Sequence, residues 1–168
     1  MRYITFFPIL LILFMSCEKE STKPDETIPT MSFSPNNVSV GVVAEGELTL
    51  QVKDFEVSIF GISMRIAYDS TIVTFTDSTG FTVGDFFGPD IVTFVRDDSS
   101  RIHLTITLTQ GQGEVSGSGD LGVLTFTGKS PGSSTLEIIP SELYFYDSEG
   151  NEVTVPDLEI EAATIIVQ

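Results

Sequence analysis

The stretch Arg101–Leu108 reads RIHLTITL, and its strict period-two alternation is the tightest constraint in the chain. Ile102, Leu104, Ile106 and Leu108 face one way, and Arg101, His103, Thr105 and Thr107 the other. Successive side chains of a strand point to opposite faces, so this pattern buries one side of an extended segment and leaves the other wet. FGISMRIAY repeats the rule. Phe60, Ile62, Met64, Ile66 and Tyr68 share one face, and Gly61, Ser63, Arg65 and Ala67 the opposite one.

Other short runs share this composition: NVSVGVV, ELTLQV, TIVTF, IVTFV, GVLTFTG, STLEII, ELYFY and EIEAATIIV are rich in Val, Ile, Thr and Phe. Turn clusters divide them: DSTG, GDFFGPD, RDDSS, QGQGEVSGSGD, KSPGSS and DSEGN. No segment carries a sustained helical stripe. Nine or ten strands with one dry and one wet side predict an all-β chain, two antiparallel sheets packed into a sandwich. A chain near 150 residues buries about 68–70% of its unfolded surface, enough for a core without covalent staples. Cys17 is the only cysteine, so no intrachain disulfide contributes.

The first residues follow a different rule. MRYITFFPILLILFMSC has one early cation, Arg2, then an apolar run from Phe6 to Met15. The run is too short to span a bilayer, which takes about 20 residues, and has the length of a secretory signal core. With Ser16 before Cys17 it resembles a bacterial lipoprotein signal, with residues 1–16 removed and Cys17 lipidated; an ordinary signal peptide with an incidental Cys is the alternative. Residues 17–30 include the polar stretch EKESTKPDETIPT, which reads as a flexible tether whose thirteen residues reach about 45 Å when extended. CEKE is similar to the acidic and Lys export tag of some surface-exposed lipoproteins, or is simply a soluble tether. The lipoprotein reading predicts residues 31–168 as one domain held by a lipid anchor in the bacterial cell envelope, at the outer membrane or cell surface.

The formal charge is −16. So acidic a chain repels phosphate backbones, which argues against nucleic-acid binding and against a basic patch docking onto anionic lipid. Membrane attachment therefore falls to acyl chains, of which one is marginal and two hold.

Four stretches in series resemble the cohesin domain, the module that receives dockerins in cellulosomes. VSVGVVAEGELTLQV resembles its opening strands, and GISMRIAYDSTIVTF its strand, Tyr-Asp turn and following strand. GDLGVLTFTGKSPGSSTLEI resembles its Gly-rich loop, strand and Gly/Ser turn, and LYFYDSEGNEV its late strand and Asp-x-x-Gly-Asn turn. The resemblance runs from Met31 to Gln168 and implies a nine-stranded jelly roll related to carbohydrate-binding modules. It also explains the break in AYDSTIVTF. Tyr68 is the last inward residue, Asp69 and Ser70 bond the backbone two residues on, and Ile72 or Val73 re-enters the core.

The candidate site residues follow from the two readings together. An enzyme has little to work with: His103 is the only His, on an outward strand face, with no G-x-S-x-G elbow and no zinc spacing. No catalytic residue is assigned, and no cofactor. Calcium has weak candidates in Asp147, Glu149 and Asn151, but Gly150 stands at the fourth place of DSEGN, not where an EF-hand needs it, and a hairpin turn accounts for the stretch equally well. For carbohydrate, the chain has no Trp; Tyr144 and Tyr146 share one side of LYFY, and Phe86 and Phe87 form either an apolar knob or a plug over the sandwich end. For a protein partner, dockerin-like by the resemblance, the outward residues Gly61, Ser63 and Arg65 are the first candidates. Arg101, His103, Thr105 and Thr107 are further candidates on a strand whose sheet the sequence does not reveal. The resemblance implies the partner class but does not carry over dockerin contacts residue by residue. Protein and polysaccharide both remain open as ligands.

Overall fold

A computed structural model describes residues 27–76 and 78–168. Fourteen strands follow one another: β1 (Thr30–Ser34), β2 (Asn37–Val40), β3 (Glu45–Ile59), β4 (Gly61–Ala67), β5 (Val73–Phe75), β6 (Phe81–Val83), β7 (Ile91–Asp97), β8 (Arg101–Leu108), β9 (Val115–Gly128), β10 (Gly132–Ile138), β11 (Tyr144–Tyr146), β12 (Glu152–Val153), β13 (Glu159–Ile160) and β14 (Ala163–Val167). They form two sheets. One runs β13-β1-β3-β9-β5, with β6 also on β9. The other runs β12-β11-β4-β10-β14-β2, and β8 and then β7 extend it from the far edge of β4.

The expected sandwich is present, with two corrections to its details. The count among the described residues is fourteen rather than nine, because strands of two or three residues, β5, β6, β11, β12 and β13, add to the longer ones. Nor is every pair antiparallel: β1 runs parallel to β13 and β2 to β14. These non-local pairings join the first strands to the last, and no local pattern announces them.

Alternation decides the core. Ile102, Leu104, Ile106 and Leu108 are all buried, as are Ile62, Met64, Ile66 and Tyr68 from the neighbouring strand. Phe60 departs from its expected place. The chain breaks between β3 and β4 there, so Ile59 is buried and Phe60 is only half-buried. The two layers meet through aromatic edges. Phe55 of β3 lies edge-on to Phe145 of β11, with ring centroids 5.6 Å apart.

The AYDSTIVTF corner closes as its residues dictate. The Asp69 carboxylate accepts from the Thr71 N–H at 2.9 Å and from the Thr71 hydroxyl at 2.6 Å. These bonds, the hydroxyl's first, hold its pKa below the usual carboxylate value. The Asp69 N–H donates to Ser134 Oγ, the one buried polar side chain among the described residues. Val73, fully buried, re-enters the core.

Candidate functional site: the outer face of β11, β4, β8 and β7

The wet halves of the two alternating strands meet. β4 and β8 are antiparallel neighbours, with Gly61 opposite Thr107, Ser63 opposite Thr105, Arg65 opposite His103, and Ala67 opposite Arg101. Residues in register share a face, so all seven outward candidates lie on one surface. Their inward neighbours are fixed in the core, which leaves these side chains no alternative direction.

Flanking strands complete the surface in rows. On one side β11 sets Tyr146 beside Gly61 and Tyr144 beside Ser63. On the other, β7 sets Val92 beside Thr107, Phe94 beside Thr105 and Arg96 beside His103. The first row is therefore Tyr146, Gly61, Thr107, Val92, and the second Tyr144, Ser63, Thr105, Phe94. The third is Arg65, His103, Arg96, with Arg101 one step further along β8.

The floor is made of small residues. Ser63 and Thr105 hydrogen-bond each other at 3.1 Å. Gly61 packs so closely that a Cβ there would stand 3.1 Å from Thr107 Oγ1 and 3.2 Å from the Ile106 carbonyl oxygen. A shallow depression opens over it, bounded by Thr107, Tyr146 and Gly150. The rims are larger and apolar: Val92 is 57% exposed, Phe94 56% and Tyr144 38%. At the third row, Arg65 Nη1 lies 2.9 Å from Glu142 Oε1, and Arg101 Nη1 3.7 Å from the same oxygen.

Val92, Phe94, Arg96 and Glu142 were not among the sequence candidates. IVTFV is apolar on both faces, so alternation cannot say which side is wet. Arg96 falls in the cluster RDDSS, read as a turn, whereas β7 continues through Asp97.

Other candidates lie elsewhere. Phe86 and Phe87 are buried and meet edge-on, centroids 5.1 Å apart, with Phe86 also edge-on to Phe55. They are the plug, not a knob, and offer no ring to a sugar. Asp147 closes its own turn: Oδ1 accepts from the Glu149 and Asn151 N–H groups, and Oδ2 from Asn151 Nδ2. The Asn151 amide is the main reason its pKa sits below the ordinary value. Its acceptor capacity thus serves a hairpin turn. Among the described residues no group of three or more His, Cys, Asp or Glu could hold a metal ion. Cys17 and the leader lie outside the described residues.

No protein-family model matches the sequence, and no curated protein does. Solved structures do match in shape. The third cohesin of ScaC from Acetivibrio cellulolyticus, in complex with the ScaB dockerin, is 13% identical with a TM-score of 0.66, covering 83% of this chain and 99% of that one. The non-cellulosomal cohesin of the archaeon Archaeoglobus fulgidus is 14% identical with a TM-score of 0.65, covering 84% and 92%. A type I cohesin–dockerin complex from Clostridium thermocellum gives 14%, 0.63, 84% and 100%. At these identities the likeness is one of fold: the sandwich of residues 30–168 has the cohesin architecture.

Proposed function

Proceeding from a cohesin fold, we propose that this chain is a non-catalytic binding module that holds a protein partner on the outer face of β11, β4, β8 and β7. One observation carries the reading: Val92 and Phe94 stand exposed on the face where every sequence candidate for partner contact converges. Contiguous exposed apolar surface rimmed by polar residues marks interaction sites. The rims stand on strands three spacings apart, about 14 Å at 4.8 Å per spacing. An α-helix with its side chains is about 10–12 Å across and fits between them. Solved cohesins of this architecture are held in complexes with dockerins, which favours a protein occupant of that class.

The same face offers no assembled catalytic group. His103 has arginines on both sides, and the nearest hydroxyls in register, Ser63 and Thr105, are bonded to each other. The lipoprotein-like leader supports a lipid anchor at the cell envelope, where a captured partner, such as an enzyme of polysaccharide breakdown, would be kept near the membrane.

Immobilised full chain, offered the source organism's secreted proteins, should retain a discrete protein that Phe94→Asp fails to retain. Equal retention by the variant overturns the assignment of the face. Retention of the chain itself on insoluble polysaccharide, lost in Tyr144→Ala with Tyr146→Ala, would make the module a sugar binder instead.

A further inference from the structure

We propose that the partner of this face is acidic, a segment that lays apolar side chains over Val92, Phe94 and Tyr144 and carboxylates over Arg65, His103, Arg96 and Arg101. This rests on the protein-binding reading above and adds the chemistry of the partner to it.

The distribution of charge is the first ground. In residues 27–168 the cations are Lys53, Arg65, Arg96, Arg101 and Lys129, against carboxylates spread over the whole body. All three arginines fall at one end of one face, on three strands brought together by non-local pairing. The stretch has few cations to place, and three of its five lie here.

The register is the second ground. Arg65, His103 and Arg96 lie directly opposite one another across β4, β8 and β7. The two guanidinium groups flank His103 from either side, and nothing in the inner packing requires them, because the buried residues of these strands are their alternates. Glu142 answers Arg65 closely and Arg101 more distantly through one oxygen, while its second oxygen, Oε2, is buried with no hydrogen-bond partner among the described residues. Arg96 is exposed at the open edge of the row. A carboxylate arriving there would meet a guanidinium fork suited to it.

The third ground separates an acidic protein from a phosphate or an acidic sugar. The cationic row continues, without a break, into the Ser63–Thr105 floor and the exposed Phe94 and Val92. A small anion would use only the arginines. An occupant that also covers a phenyl ring and an isopropyl group needs apolar side chains beside its carboxylates. The gradient along the strands, apolar at Val92 and cationic at Arg96, further gives the occupant one preferred direction.

The test uses the full chain and two synthetic amphipathic peptides of about 20 residues, long enough to be helical. They share a Leu and Ala face; one is flanked by Glu and the other by Lys. Binding is followed by fluorescence anisotropy at low and high salt. The Glu peptide should bind about five-fold or more tighter than the Lys peptide, against the sign of the protein's net charge. Arg96→Glu should remove that preference, and high salt should weaken it. Preference for Lys, equal binding, no binding of either peptide, or an unchanged preference in Arg96→Glu overturns the proposal. So does retention on polygalacturonate that Arg96→Glu abolishes while neither peptide binds. The capture experiment with Phe94→Asp keeps the two readings apart: if it succeeds while the Glu peptide is not preferred, the face binds protein but not by this chemistry.

Discussion

The Tyr68 hydroxyl donates to an Asp97 carboxylate oxygen at 2.6 Å. Tyr68 ends the run of inward residues from β4, and Asp97 ends β7, so one bond joins the corner of the core to the outermost strand of the face. Burial first, then the Asp97 bond and its charge, push the phenol well above its ordinary pKa of 10.0. Tyr68→Phe should cost about 1.5–3 kcal/mol, the range for a hydrogen bond to a charged group. The raised pKa has a sign: the stability it contributes is complete below pH 10.0 and is lost as pH climbs above it. Thermal melts of the wild type from pH 8 upward should fall beyond that point, and those of Tyr68→Phe should lose this component.

Exposure separates packing from presentation at two phenylalanines. Phe55 is 1% exposed and touches Phe86 and Phe145 edge-on. Phe55→Ala should cost about 3–5 kcal/mol, a drop in melting temperature on the order of 10 °C. Phe94→Ala should change stability by no more than about 0.5 kcal/mol. Equal losses in calorimetry would mean that Phe94 is a core residue.

Two turn carboxylates carry an acid-side signature. Asp69 and Asp147 are both held below 3.8 by donors in their own turns, so the stability they contribute is present above that value and is lost as pH falls through the folded values. Asp69→Asn and Asp147→Asn should flatten the decline in melting temperature below about pH 4. Because Asp147 is occupied by Asn151 and Glu149, excess calcium or EDTA should leave the melting temperature of the wild type unchanged.

Anchoring is tested at Cys17. Cell fractionation of the wild type should place the chain with membranes, and Cys17→Ser should release it to the soluble fraction. A variant that remains with the membrane would point to an attachment other than acylation.

What the sequence makes legible is what short periods encode. RIHLTITL fixes its own inward and outward sides, and the Asp69 turn follows from local hydrogen bonding. Neither needs a distant partner to decide it. The misses are non-local. VSGSGD lies in the stretch read as a turn because of its Gly and Ser, yet it is the first half of β9 and pairs with the bulged β3. There the long neighbour imposes strand geometry on residues that would not choose it. Val92 and Phe94 escape for a related reason: a run that is apolar on both sides becomes readable only when one side is seen to have nothing packed on it.

The face is made of alternating strand positions, and its alternates are the core. Residues that hold the sandwich together and residues that meet the outside therefore interleave in the text of the gene but never share a task. On the proposed reading, exchanging Ser63, Thr105, Phe94 or Arg96 for other side chains would redirect the module to a new companion while leaving Ile62, Met64, Leu104 and Ile106 to build the same scaffold. The same division of labour within each strand lets the architecture be shared by chains whose identity is only 13–14%.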